Sequence, residues 1–361
     1  MPGRPALLTF ALLAGCQQVW GLERSIDAAL PPDAAPDAPA DATNCYGTGL
    51  VRLCLQAAPT GNFDAPANGE LILDTSGAIC QPHNGDASWC VVAAETMTIR
   101  GTLRGRGSNP LVLVATRSIM VTGGIDVSSD NVSGAGGDPI VCAGGLGGSA
   151  MNGGGAGGTF GGAGGHGGIG GISGNSGVPV QPRAVAGFRG GCHGGNGANV
   201  GPSGLGGGAV FLIAGESIAV TGVIDASGNG GRGGNGSTTL PPGGGGGGGS
   251  GGMIGLDAPA ITVSGSVFAN GGAGGEGGGQ PSDGEAGAKP TMALTPAPGG
   301  TVGTIPGGDG GDGAAGGVLT GMGGRAGTMS IGGGGGGGGG AGIIHVFPMQ
   351  SLGVNVSPPP S

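Results

Sequence analysis

The sequence predicts an all-β fold: a parallel β-solenoid of β-helix type carrying long glycine-rich insertions, either polyglycine II or loops. Three observations predict it. First, the block LVLVATRSIMVTGGIDVS (Leu111–Ser128) recurs without gaps as VFLIAGESIAVTGVIDAS (Val210–Ser227), identical at ten of eighteen positions. MIGLDAPAITVSGSVFAN (Met253–Asn270) repeats the hydrophobic pattern, and IIHVF (Ile343–Phe347) begins a further copy. Second, the weaker copy WCVVAAETMTIRGTLRGR (Trp89–Arg106) starts 22 residues before the first block. That offset is about one solenoid coil, a unit that buries its apolar face only against neighbouring coils. Third, Gly supplies 100 of 361 residues and collects between the blocks, leaving the blocks as the segments with enough apolar surface to drive folding.

Residues 1–15 read as an export signal: Arg4, then the short apolar run Ala6–Ala14, too short to span a bilayer. The run ends in LAGC (Leu13–Cys16), a bacterial lipobox pattern that marks Cys16 for lipidation. Residues 16–44 form a tether rich in Pro, Ala and Asp. There Pro keeps the backbone extended, and Asp27, Asp33, Asp37 and Asp41 repel one another. Residues 45–88 are an N-terminal β region, with candidate strands LVRLCL (Leu50–Leu55) and ELILD (Glu70–Asp74) on either side of a turn-rich stretch. Beyond Cys16 there are six cysteines: Cys45, Cys54, Cys80, Cys90, Cys142 and Cys192. An even number in an exported chain points to disulfides, and pairing in sequential order is the simplest of the fifteen connectivities.

Residues 89–361 carry the repeats. Ile119, Val121, Ile125 and Val127 alternate as a pleated strand requires, and so do Ile218, Val220 and Ile224. Gly123, Gly222 and Gly265 share one repeat position and mark a bend between two strands of a coil. The glycine insertions follow Ser128, Ser227 and Asn270, and the expectation places them outside the coils. They have a period of their own: Phe160, Ala163, His166, Ile169, Ile172, Asn175 and Val178 recur at every third position, with Gly-Gly or twice Ser-Gly filling the gaps. A period of three matches polyproline-II geometry, which puts every third side chain on one edge. Packed polyglycine II and a disordered linker both stay open, with packing favoured within Phe160–Val178. Runs such as Gly243–Gly249 and Gly332–Gly340 carry no register signal, and mobility is the expectation there.

The pattern resembles a group of glycine-rich predicted surface lipoproteins of myxobacteria and related bacteria. The features that carry the resemblance are LAGC, the Pro/Asp tether, CYGTGLVRLCL (Cys45–Leu55), GTLRGRGSNPLVLVA (Gly101–Ala115) and the terminal GGGGGGAGIIHVF. It implies location and shape and brings no activity with it. The glycine tracts are also similar in backbone to the polyglycine-II bundles of some antifreeze proteins and phage tail-tip adhesins.

Little in the chain points to chemistry. Net charge is −9, and Lys289 is the sole lysine, so nucleic acid is not an expected partner. GGSGG (Gly248–Gly252) fits a nucleophile elbow only in form, because poly-Gly flanks Ser250 on both sides. GGDGGD (Gly307–Asp312) is a single, imperfect start of a calcium-binding repeat, and His83, His166, His193 and His345 are scattered. No cofactor or metal is expected. Asp126 and Asp225 share a repeat position and would stack about 4.8 Å apart in adjacent layers. Such a pair could bind Ca²⁺ or serve a polysaccharide-cleaving site, but Asp ending a strand at a turn is the favoured reading. Trp89, Phe160 and Phe188 are the aromatics available for a glycan. The expected function is a lipid-anchored envelope protein of the outer membrane or cell surface, structural or adhesive and not an enzyme. Its expected partners are the membrane, through the lipid, and extracellular polysaccharide or a neighbouring cell surface. The alternative is a carbohydrate-active β-helix enzyme or a glycan-binding module.

Overall fold

The computed structural model describes residues 44–142, 145–148, 152–171, 174–182, 187–199, 201–238, 241–301, 307–328 and 331–361. The signal at 1–15, Cys16 and the tether up to residue 43 lie outside the described residues, as does Ile172 of the period-three run. In chain order the strands are β1 (Cys45–Tyr46), β2 (Leu53–Cys54), β3 (Asn62–Ala65), β4 (Glu70–Asp74), β5 (Cys90–Ile99), β6 (Thr102–Arg106), β7 (Leu111–Val121) and β8 (Gly124–Asp126). They continue with β9 (Ala209–Ala214), β10 (Ser217–Val220), β11 (Val223–Asp225), β12 (Met253–Asp257), β13 (Ala260–Val263), β14 (Ser266–Phe268), β15 (Ile343–Phe347) and β16 (Val356–Ser357).

The all-β expectation holds, and the solenoid expectation does not. Apart from the antiparallel β1–β2 pair, the strands form two open parallel sheets: a large one of eight (β3, β5, β7, β9, β10, β12, β13, β15) and a small one of six in the order β16-β14-β11-β8-β6-β4. No coil of constant length generates them. Thr96 pairs with Ser118 one short repeat later, but Ser118 then pairs with Ser217, and Ser217 with Ala260. Between those layers the chain leaves the sheets for a glycine tract, so the 22-residue spacing occurs once and does not propagate.

Within the sheets the repeat blocks stack in register. Ile119, Ile218 and Ile261 are paired neighbours, as are Val121, Val220 and Val263, and Ile125, Ile224 and Val267. Their side chains meet between the two sheets in one apolar core that also takes in Leu103, Leu113, Leu212 and Leu256. A second apolar cluster covers the opposite face of the large sheet, where Val112, Val114, Phe211 and Met253 pack against Val51, Leu53, Leu55, Phe160 and Phe188. Hence β9 (AVFLIA) is buried at every position, while β10 (SIAV) alternates. A strand covered on both faces reads as a continuous apolar run, and one covered on a single face reads with period two. The bend glycines also stack. A Cβ at Gly222 would lie nearer than 3.0 Å to the carbonyl oxygen of Gly123, and one at Gly265 would meet that of Gly222.

The glycine insertions are packed, not mobile, and the runs without register are the innermost part. Tract 332–341 donates nine successive N–H groups from Gly333 to Ala341, at 2.7–2.9 Å. Gly333, Gly336 and Gly339 donate to Gly278, Gly275 and Gly272; Gly334, Gly337 and Gly340 to Asn152, Gly155 and Gly158; Gly335, Gly338 and Ala341 to Arg325, Met322 and Leu319. Its carbonyls accept from three further tracts, through Gly245, Gly248 and Gly251, through Gly168, Gly165 and Gly162, and through Gly308, Gly311 and Ala314. A three-residue turn has three edges, and here the three serve six neighbours. Tract 243–251 is surrounded in the same way. At the bundle's rim, one edge of a tract faces water and carries the side chains. In 162–171 the glycines at 162, 164, 165, 167, 168 and 170 are buried, while His166 and Ile169 are exposed.

Candidate functional site

The small sheet carries the densest group of charged side chains on its outer face. In β6 the pleat turns Leu103 inward and Arg104 outward, and pairing sets Arg104 beside Asp126 of β8, then Asp126 beside Asp225 of β11. The Arg104 guanidinium reaches Asp126 at 3.1 Å and Asp130 at 3.3 Å, and also contacts Glu70. Arg106 holds Asp130 at 2.9 Å and donates to the Ser128 carbonyl at 2.6 Å. Lys289, far along the chain, arrives over the same patch and donates to the Ser128 hydroxyl at 2.5 Å.

Asp126 and Asp225 play the same local part in successive layers. Each accepts from the backbone N–H two residues on, Ser128 at 2.9 Å and Ser227 at 2.8 Å, and so closes the turn that ends its strand. Their stacking and their turn role both match the sequence reading. In the next layer the position is Phe268, where the carboxylate row ends. The two environments differ in charge balance. Asp126 has Arg104, whereas burial pushes the Asp225 carboxyl up to about 6, helped by Asp126 and opposed by Lys289 and the bonds from Ser227.

A pH dependence follows. The folded Asp225 binds its proton more tightly than the unfolded carboxyl with its ordinary value of 3.8, so this group favours the folded state most at low pH. That contribution falls as pH rises from about 4 to about 6 and is level above, a loss of at most about 3 kcal/mol. Asp225→Asn should lack this component. The melting temperature of parent minus variant should therefore decline across that window, and a constant difference would contradict the assignment.

The other sequence candidates are dispersed. The cysteines pair in sequential order, Cys45–Cys54, Cys80–Cys90 and Cys142–Cys192. The last brackets the period-three run, closing a loop that contains it. Ser250 is buried inside the bundle, where its hydroxyl bonds the backbone of Cys192, so it is no nucleophile elbow. Asp312 accepts from Gly299 N–H at 2.8 Å and Asp309 pairs with Arg325 at 3.4 Å. Among the described residues no group of three or more His, Cys, Asp or Glu is placed to hold a metal ion. His83 stacks on Trp89, His345 lies beside Phe347, and His193 pairs with Asp138 at 3.4 Å, a bond that holds its imidazolium above the usual histidine range. Phe160 and Phe188 are core residues, 2% and 5% exposed, and do not form an open aromatic platform.

Glu70, Arg104, Arg106, Asp130 and Lys289 are the members of the charged patch that the sequence reading missed. A signal for Arg104 was present: the 22-residue offset between the first two blocks places Arg104 opposite Asp126. Among the described residues no helix is long and apolar enough to cross a membrane. Comparison of the chain with protein-family models, with curated proteins and with solved structures finds no match.

Proposed function

We propose that the chain is a cell-envelope surface protein, lipid-anchored at Cys16, whose folded body has a structural or adhesive role toward extracellular polysaccharide or a neighbouring cell surface. The observation that carries this reading is the rim of the glycine bundle. Leu146, Val178, Ile169, Met322 and Leu319 are exposed by 45–60% and lie on tracts joined to one another through backbone hydrogen bonds. Apolar side chains held in water on a hydrogen-bonded backbone lattice are placed for contact with a second surface. Three disulfides fasten the same body, as suits an oxidising compartment.

The test uses cells carrying the full chain, cells lacking it, and cells carrying Cys16→Ala. The substitution should move the protein out of the envelope fraction and lower attachment to polysaccharide-coated surfaces to the level of the deletion, because stable anchoring needs the acyl chains. Envelope association that survives the substitution, with no lipid mass at the mature N-terminus, would refute the anchor.

A second reading, a carbohydrate-active enzyme, draws on the Arg104–Asp126–Asp225 row and the raised Asp225. It requires that the full chain release reducing or unsaturated ends from polysaccharide and that Asp225→Asn abolish the release.

A further inference from the structure

We propose that the cleft beside the Cys142–Cys192 disulfide binds a single anionic group, the carboxylate or sulfate of an acidic polysaccharide, with Arg189 as its cation. This rests on the polysaccharide-facing adhesive reading and specifies its ligand. The cleft has a volume of about 50 Å³ and is lined by Thr159, Phe160, Gln181 and Arg189 among others.

Arg189 is unlike the other partly buried arginines. Arg104 and Arg106 each sit against carboxylates. Among the described residues Arg189 has none: its guanidinium lies 4.5 Å over the Phe160 ring, donates to the Gly190 carbonyl at 3.1 Å, and stands 3.6 and 3.7 Å from the two sulfurs of the disulfide. The internal segments outside the described residues contain no Asp or Glu that could supply one. A guanidinium has five N–H donors, and one carbonyl with two sulfurs leaves most of that capacity to the cleft. Burial also makes the group less basic than an ordinary arginine, the mark of a charge short of compensation.

The surroundings set the ligand class. The ring beneath and the disulfide beside the guanidinium fix its plane before a ligand arrives, which lowers the ordering cost of a two-point contact with a carboxylate or sulfate. Thr159 and Gln181 add a hydroxyl and an amide. A site that holds one water needs about 10–15 Å³ on the same measure, so the cleft admits a group of a few heavy atoms and no complete sugar ring. The rest of a saccharide would lie outside, over the exposed Val141. A neutral glycan would leave the guanidinium unpaired and is disfavoured. With net charge −9, the chain as a whole repels polyanions, so capture depends on a local cation.

The experiment measures binding of the full chain to oligogalacturonate, with a neutral maltooligosaccharide and inorganic sulfate as comparisons. Oligogalacturonate should bind, sulfate should compete with it, and the neutral sugar should not bind. Arg189→Gln should weaken binding by at least about tenfold. Gln181→Glu, at an exposed position, should do the same by supplying an internal carboxylate while leaving Arg189 and the fold in place. Arg325→Gln, on the exposed Asp309 pair, should bind as the parent does. Equal affinity for the neutral sugar, or unchanged binding in both Arg189→Gln and Gln181→Glu, overturns the proposal. Loss of the cleft site with cell attachment intact leaves the adhesive reading standing. Loss of attachment in Arg189→Gln cells supports both.

Discussion

Gly337→Ala is expected to lower the melting temperature by on the order of 10 °C, although it adds one methyl group to a chain of 361 residues. Gly337 sits in the fully enclosed tract 332–341, where its N–H donates to Gly155 and its carbonyl accepts from Gly248. A Cβ there would lie nearer than 3.0 Å to the carbonyl oxygens of both Gly165 and His166, and both belong to a neighbouring tract's backbone, which has no rotamer to change. Relief requires the tracts to separate. Overpacking costs about 1–3 kcal/mol, and each buried amide or carbonyl left without its partner adds about 1–3 kcal/mol more. Gly317→Ala supplies the comparison, since a Cβ at Gly317 meets nothing within 4 Å. It should melt with the parent or slightly above it, because alanine narrows the unfolded ensemble. If the two variants melted alike, the bundle would not be a core.

Ile218→Asp is expected to leave the sheets unfolded at room temperature. Ile218 is 0% exposed and lies between Ile119 and Ile261 in the apolar layer that joins the two sheets. A carboxylate there has no donor among its neighbours, and protonating it still leaves a polar group in hydrocarbon and the isoleucine's packing lost. Together these cost on the order of 5 kcal/mol, the scale of a whole domain's stability. Ile72→Asp adds the same charge to the small sheet at a site 60% exposed and paired with Arg104, and it should fold normally. Far-ultraviolet circular dichroism of the three proteins at one temperature decides the matter. A folded Ile218→Asp would mean the sheets are held by something other than this layer.

The strands were legible because half-buried pleats leave period two in the sequence, and the blocks could be aligned without gaps. The register of Ile119 with Ile218, the bend glycines and the stacked Asp126 and Asp225 all came from that alignment. The closed coil did not follow from it. The reading assigned the residues beyond a 22-residue coil to glycine insertions after Ser128, Ser227 and Asn270, but the stacked strands lie in two open sheets. Those tracts were misread for a physical reason. A side chain every third residue marks an edge that faces water, so the rim tract 162–171 shows its period. Gly243–Gly249 and Gly332–Gly340 have no edge free and therefore no side chains to show. Absence of pattern meant complete enclosure, not mobility. The charged patch was hidden because its members come from β4, β6, the turn after β8, and a loop more than a hundred residues later, and no spacing along the chain brings Lys289 to Ser128.

Threefold geometry also gives each tract a reading frame. One residue added or removed inside a tract turns everything downstream by about a third of a turn. In 162–171 that would swing His166 and Ile169 from water into the carbonyls of the next tract and present bare glycine to the outside. Three residues added together restore every edge and lengthen the tract by about 9 Å. The glycine segments of this chain are thus free to change length in triplets within a tract, and freely only in the connections between tracts.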